Sequence, residues 1–213
     1  MLLGNHEVMV MLNDTRYLNR KYEVFSNYFM RDAADYYGTN TVLGNWLRTR
    51  NTIVKINDCI FSHAGISPTI LNRRVKLETI NNLIREFLSV NPETPMRDAD
   101  LTSMLLNADG PLWYRGYILE GFSGTKSITE KQVANILKYY KASKIIIAHT
   151  EVKRMISLFN GKVIAIDVPI RTNEVVPEAL LIEGDRFYRL TGEGEKISCI
   201  FEVVDAEAED QLR

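Results

Sequence analysis

Cysteine and histidine are scarce in this chain, and each scarcity narrows the reading. The 213 residues hold two cysteines, Cys59 and Cys199, far apart in sequence. Two are too few for the disulfide framework of a small secreted domain. Both fall in apolar, strand-like stretches, residues 56–61 and 197–204, and read as buried thiols in a reducing compartment. No apolar run approaches the roughly 20 residues of a membrane span. No charged segment followed by an apolar one marks a signal peptide, so the expected setting is the cytoplasm, with no membrane partner. Neither sign of charge dominates: 26 Lys and Arg against 27 Asp and Glu give a formal net charge of −1. That excludes whole-molecule steering toward nucleic acid. The short basic cluster Arg73, Arg74 and Lys76 reads as a solvated helix face.

Apolar residues make up 46% of the chain, enough for a substantial core. Met1-Leu2-Leu3 looks like the end of a strand, and a helix starts near Val8. Residues 17–50 are rich in aromatic and charged side chains at irregular helical spacing. They suit either a substrate cap or core packing, and core packing is the expectation. Two strands, 52–57 and 59–62, flank a turn at Asn57-Asp58. The spacing predicts one long helix over 67–90, stopped by the Pro92 and Pro95 segment. A short helix is expected over 100–107, and Thr129 is placed to cap a helix over 130–140. Strands are expected at 144–148, 162–167, 179–183, 186–190 and 197–204, with a hairpin turn at Gly184-Asp185. The last residues, 206–213, are acidic and polar and read as frayed. Helices come first and strands late, which suits one layered α/β domain over residues 1–213.

The three histidines share one setting. His6 lies in Gly4-Asn5-His6-Glu7, His63 follows Cys59-Ile60-Phe61-Ser62, and His149 follows Ile145-Ile146-Ile147-Ala148. Each ends or follows an apolar segment beside small residues. Polar side chains at the carboxyl ends of strands point into the crevice of an α/β sheet. A single histidine there reads as a hydrogen-bonded structural residue. Three in the same setting, with none elsewhere, read as a site.

In these blocks the chain resembles the calcineurin-like metallophosphoesterases, in their serine/threonine protein-phosphatase-like branch. Gly4–Glu7 matches one block of that pattern, Ser62-His63-Ala64-Gly65-Ile66-Ser67-Pro68 a second, and the residues from Ile145 through Thr150 to Asp167 a third. The resemblance implies an α/β sandwich of two mixed sheets flanked by helices, lacking its first strands. It implies metal-dependent hydrolysis of a phosphomonoester by a metal-bound hydroxide. Asn5, His63 and His149 would ligate one of two divalent ions, manganese, iron or zinc. His6 would protonate the leaving group, and Glu7 would be structural. Arg115, in Trp113-Tyr114-Arg115-Gly116, would grip the substrate phosphate through its planar fork. Its plainer role is to stack on Trp113 or Tyr114. Arg171 reads as a surface charge.

The first half of the family pattern, with its bridging carboxylates, should precede Gly4. The chain is therefore expected to begin part-way through the family fold, as a fragment or a remnant. By itself it would bind metal weakly and hydrolyse phosphate esters poorly. An exposed sheet edge would favour self-association. The expected substrate is a phosphate ester, such as a phosphoprotein. The alternatives are a non-catalytic binding module on the same scaffold and a phosphodiesterase or nucleotidase.

Overall fold

The computed structural model describes residues 1–90, 94–119, 126–170 and 175–198. The expectations for Cys199, Arg171, the Asn91-Pro92-Glu93 break and the acidic tail lie outside the described residues.

The centre is a five-stranded sheet of β1 (Ile53–Ile56), β2 (Cys59–Ser62), β3 (Lys144–Ile147), β4 (Ile156–Leu158) and β5 (Val163–Ala165). Its order is β1-β2-β3-β5-β4. The middle strands β2, β3 and β5 are parallel, and β1 and β4 join antiparallel at the edges. The hairpin between β1 and β2 closes at Asn57, whose φ of 54° is a conformation that Asn tolerates better than most residues. β3 and β5 are buried almost throughout, and their β-branched runs suit a sheet covered on both faces.

Helices α1 (Asn5–Met11), α2 (Arg20–Tyr28) and α3 (Val42–Arg48) precede the sheet, with a 3₁₀ turn at Ala33–Tyr37. Leu2 bridges Asn51 in parallel, and the Leu3 N–H donates to the Asn51 carbonyl at 2.9 Å. Chain start and sheet therefore meet beside the carboxyl end of β2. The predicted long helix is two pieces, α4 (Pro68–Asn72) and α5 (Leu77–Ser89). Arg74 ends the first with a φ of 50°. Buried Asn81 on α5 then locks to β1. Its Oδ1 accepts from the N–H groups of Thr52 and Ile53, and its Nδ2 donates to the Ile53 carbonyl. Helix α6 (Ala99–Leu106) follows, and α7 (Glu130–Tyr140) starts at the expected cap, with the Thr129 Oγ1 accepting from the Gln132 N–H.

The expected sandwich of two mixed sheets is corrected. Among the described residues, the first sheet alone is mixed. The second described sheet is an antiparallel meander of β6 (Glu178–Glu183), β7 (Arg186–Thr191) and β8 (Lys196–Ser198). The reason is connection length: tight turns at Gly184 and Gly194, both at positive φ, leave no chain for the crossover that a parallel pair requires. The meander lays Phe187 and Leu180 on a cluster of Cys59, Ile146 and Ile164 on the main sheet. A nearly buried ion pair, Arg189 to Glu178 at 3.6 Å, spans β6 and β7. Cys59 is a buried free thiol. Among the described residues no helix is long and apolar enough to cross a membrane.

Candidate active site

The carboxyl ends of β2 and β3 deliver His63 and His149 side by side, and the start of α1 brings Asn5 to them. His63 Nε2 lies 2.8 Å from Asn5 Oδ1 and 3.1 Å from His149 Nδ1. The two imidazole rings are 4.8 Å apart. Gly4 makes the approach feasible: a Cβ there would stand 2.9 Å from His63 Cε1. His149 holds a φ of 66°, a backbone state costing on the order of 1 kcal/mol or more, and such strain concentrates at functional positions. His149 is 7% exposed. Its ring also meets Trp113 edge-on at 5.9 Å.

Both imidazoles are neutral at ordinary pH. Burial pushes His63 down to about 4, helped by the nearby charges of His6 and Arg115. Burial pushes His149 down to about 3, with Arg115 and His63 adding to it and the Trp113 backbone opposing. A protonated imidazole here would sit poorly solvated next to a guanidinium.

Arg115 borders this cluster. Its Nη1 donates to the His149 carbonyl at 3.1 Å and to Thr150 Oγ1 at 3.3 Å. These bonds aim the guanidinium at the histidine-bearing loop. Tyr17, Asp167 and Glu151 all lie close enough to Arg115 to act on its charge. His6 sits on the first turn of α1 and is exposed. Its ring stacks on Tyr17 with centroids 4.9 Å apart and planes 11° apart. Glu7 has a structural part: its Oε2 accepts from the Gly4 N–H at 2.8 Å. All five expected site residues, Asn5, His6, His63, Arg115 and His149, thus gather at one end of the sheet.

Three neighbours were absent from the expected set. Thr150 anchors Arg115, Trp113 flanks His149, and Tyr17 covers His6. The Asn13-Asp14 turn was the available sign for Tyr17. Asn13 has a φ of 61°, and the chain folds back there over α1.

The aromatic segment departs from the expected core packing. Tyr17, Tyr22, Phe25, Tyr28 and Phe29 are each about half exposed or more. Part of the segment walls a hollow of about 330 Å³ that opens beside His6.

The expected centre of two divalent ions is corrected. Among the described residues, no group of three or more His, Cys, Asp or Glu side chains is placed to hold a metal ion. The cluster consists of two imidazoles and an amide in mutual contact, and Arg115 already lends it positive charge. Among the described residues, the hydrogen bonds that define this cluster bring in no carboxylate to balance a dication.

No family model matches the chain. Among solved structures it is similar to the cold-active protein-tyrosine phosphatase of a psychrophilic Shewanella species, with 35% identity over 93% of this chain and 57% of that one, at a TM-score of 0.83. Another structure of a cold-active protein tyrosine phosphatase gives 34% identity, 92% and 56% coverage and a TM-score of 0.82. Among curated proteins it is 27% identical to an uncharacterized protein, R398, of Acanthamoeba polyphaga mimivirus, over 70% of this chain and 68% of that protein. The chain spans little more than half the length of the solved phosphatases it matches. Its α/β architecture is the fold of these structures, which are named for tyrosine phosphatase. The expected membership of the calcineurin-like metallophosphoesterases, and with it the expected manganese-type metal dependence, is corrected on these matches.

Proposed function

We propose that this chain carries the phosphate-holding and proton-donating part of a phosphatase acting on a phosphate ester, such as a phosphotyrosyl protein. The observation that supports it is the convergence of Arg115 and His6 on the buried, neutral pair His63 and His149. The matches to structures named for tyrosine phosphatase favour this reading over a non-catalytic module or a phosphodiesterase. They also replace hydrolysis by a metal-bound hydroxide, the route that the calcineurin-like resemblance implied.

Arg115 supplies the phosphate grip. A guanidinium donates in a fixed fork that fits two phosphoryl oxygens, and its bonds to the His149 carbonyl and Thr150 fix its direction. His6 supplies the proton. As the oxygen of a water molecule bonds to phosphorus and the bond between phosphorus and the ester oxygen breaks, the imidazolium N–H transfers its proton to that ester oxygen, which leaves as an alcohol or phenol, while the attacking water gives its proton to solvent and inorganic phosphate remains. His63 and His149, being neutral, add no charge that would compete with Arg115 for the phosphoryl group. Asn5 and Gly4 hold His63 in place. Cys59 is set apart from this chemistry: burial, with Asp58 beside it, pushes its thiol up to about 11, so it stays protonated and a poor nucleophile.

The test is steady-state hydrolysis of an aryl phosphate by the purified chain and by His6→Ala and Arg115→Ala. Loss of a general acid costs roughly 100-fold or more in rate. Turnover that survives both substitutions unchanged contradicts the reading.

A further inference from the structure

The hollow beside His6 has no part in the chemistry above, and its lining is specific. Tyr17, Tyr22, Tyr37 and Trp46 supply aromatic walls, aliphatic side chains such as Leu43 and Leu47 add to them, and the polar lining comes from His6, Glu7, Asp14 and Asn19. Its volume, about 330 Å³, is at the lower end of the size range of small-ligand pockets. Large apolar side chains stay uncovered there: Tyr17 is 64% exposed and Trp46 41%. Trp46 is braced from one face by Arg50, whose guanidinium carbon is 5.0 Å from the ring centroid.

Tyr17 joins this hollow to the phosphate site. It lines the hollow, stacks on the proton donor His6 and lies near enough to Arg115 to act on its charge. A group that leaves phosphorus while taking a proton from His6 must emerge on the His6 side of the site. The hollow lies on that side, and its walls suit a flat, apolar ring.

We propose that this hollow is the leaving-group subsite, that it selects aromatic phosphomonoesters over small aliphatic ones, and that Tyr17 and Trp46 are its specificity-determining residues. The inference rests on the phosphatase reading and deepens it.

Two inert probes separate the claims. Phenylphosphonate and methylphosphonate carry the same anionic head, and only the first carries a ring. Calorimetric titration of the chain is expected to show phenylphosphonate binding roughly tenfold tighter, because only its ring is removed from water. Trp46→Ala and, as a variant on an exposed position that fills the hollow, Leu43→Arg are expected to erase that preference. Arg115→Ala is expected to weaken both probes alike. Equal affinity for the two probes, with Arg115→Ala still weakening both, overturns the subsite and leaves the phosphatase reading standing. Failure of Arg115→Ala to weaken either probe overturns the phosphatase reading, and the subsite falls with it. A preference that persists in both Trp46→Ala and Leu43→Arg places the ring elsewhere and also overturns the proposal.

Discussion

The two sides of the candidate site are built in opposite ways. On one side His63 and His149 sit on loops that leave buried parallel strands, and Asn5 and Gly4 complete a tight, neutral cluster. On the other, α1 and the aromatic segment after it present Tyr17, Tyr22 and Trp46 half uncovered around an open hollow. The first side has little freedom: its rings are held by hydrogen bonds and by the sheet below. The second exposes apolar surface that a folded chain ordinarily hides unless a ligand or partner uses it. A phosphatase needs both, a rigid place for the phosphoryl group and an adaptable one for whatever carries it.

The contrast breaks first on stability. Ile145→Ala, at a fully buried position of β3, is expected to cost about 2–5 kcal/mol in urea denaturation. Its strand leads directly to His149, so activity should fall with it.

Acid should act on the rigid side alone. His63 and His149 stay neutral in the folded chain down to about 4 and about 3, whereas unfolded imidazoles take up protons near 6.5. Below that value the unfolded chain binds more protons, so stability falls as pH drops from about 6.5 toward 4. Each histidine should remove about 2 kcal/mol between pH 7 and pH 5. Urea melts at the two values check this, and His149→Asn should flatten the dependence by about half.

Arg115→Ala should weaken inorganic phosphate binding by at least about tenfold, as expected for loss of a charge-assisted contact worth about 1.5–3 kcal/mol. Titration calorimetry measures it. On the open side Tyr28→Ser, at an exposed position of α2, should change stability by no more than about 0.5 kcal/mol. A larger loss would mean that the aromatic segment packs more tightly than its exposure indicates.

What could be read from sequence divides along the same line. The rigid side was legible because it obeys periodicity. Apolar runs at 59–62 and 144–148 end abruptly in histidine, and a strand that ends in a polar residue points it at the sheet's crevice. Thr129 announced its helix by its hydroxyl. The open side was not legible. Aromatic residues at helical spacing look alike whether they fill a core or wall a hollow, since the difference lies in what covers them. The break at Arg74 was hidden because an arginine at positive φ carries no glycine or proline sign. The shape of the second sheet was hidden because strand-rich sequence does not state pairing direction until the turns are known. The motifs also misled where they were used to carry more than position. Asn5, His63 and His149 do lie together, but the metal centre inferred for them required carboxylates that the described cluster does not contain.

The role proposed for His6 is to give its proton to the leaving oxygen beside a phosphate held by Arg115. The most direct test compares His6→Ala with the unaltered chain on two aryl phosphates, phenyl phosphate and 2,4-dinitrophenyl phosphate. Phenolate is a poor leaving group that needs the proton, and dinitrophenolate is a good one that does not. A loss of roughly 100-fold is expected on the first, with little loss on the second. An equal loss on both would contradict it.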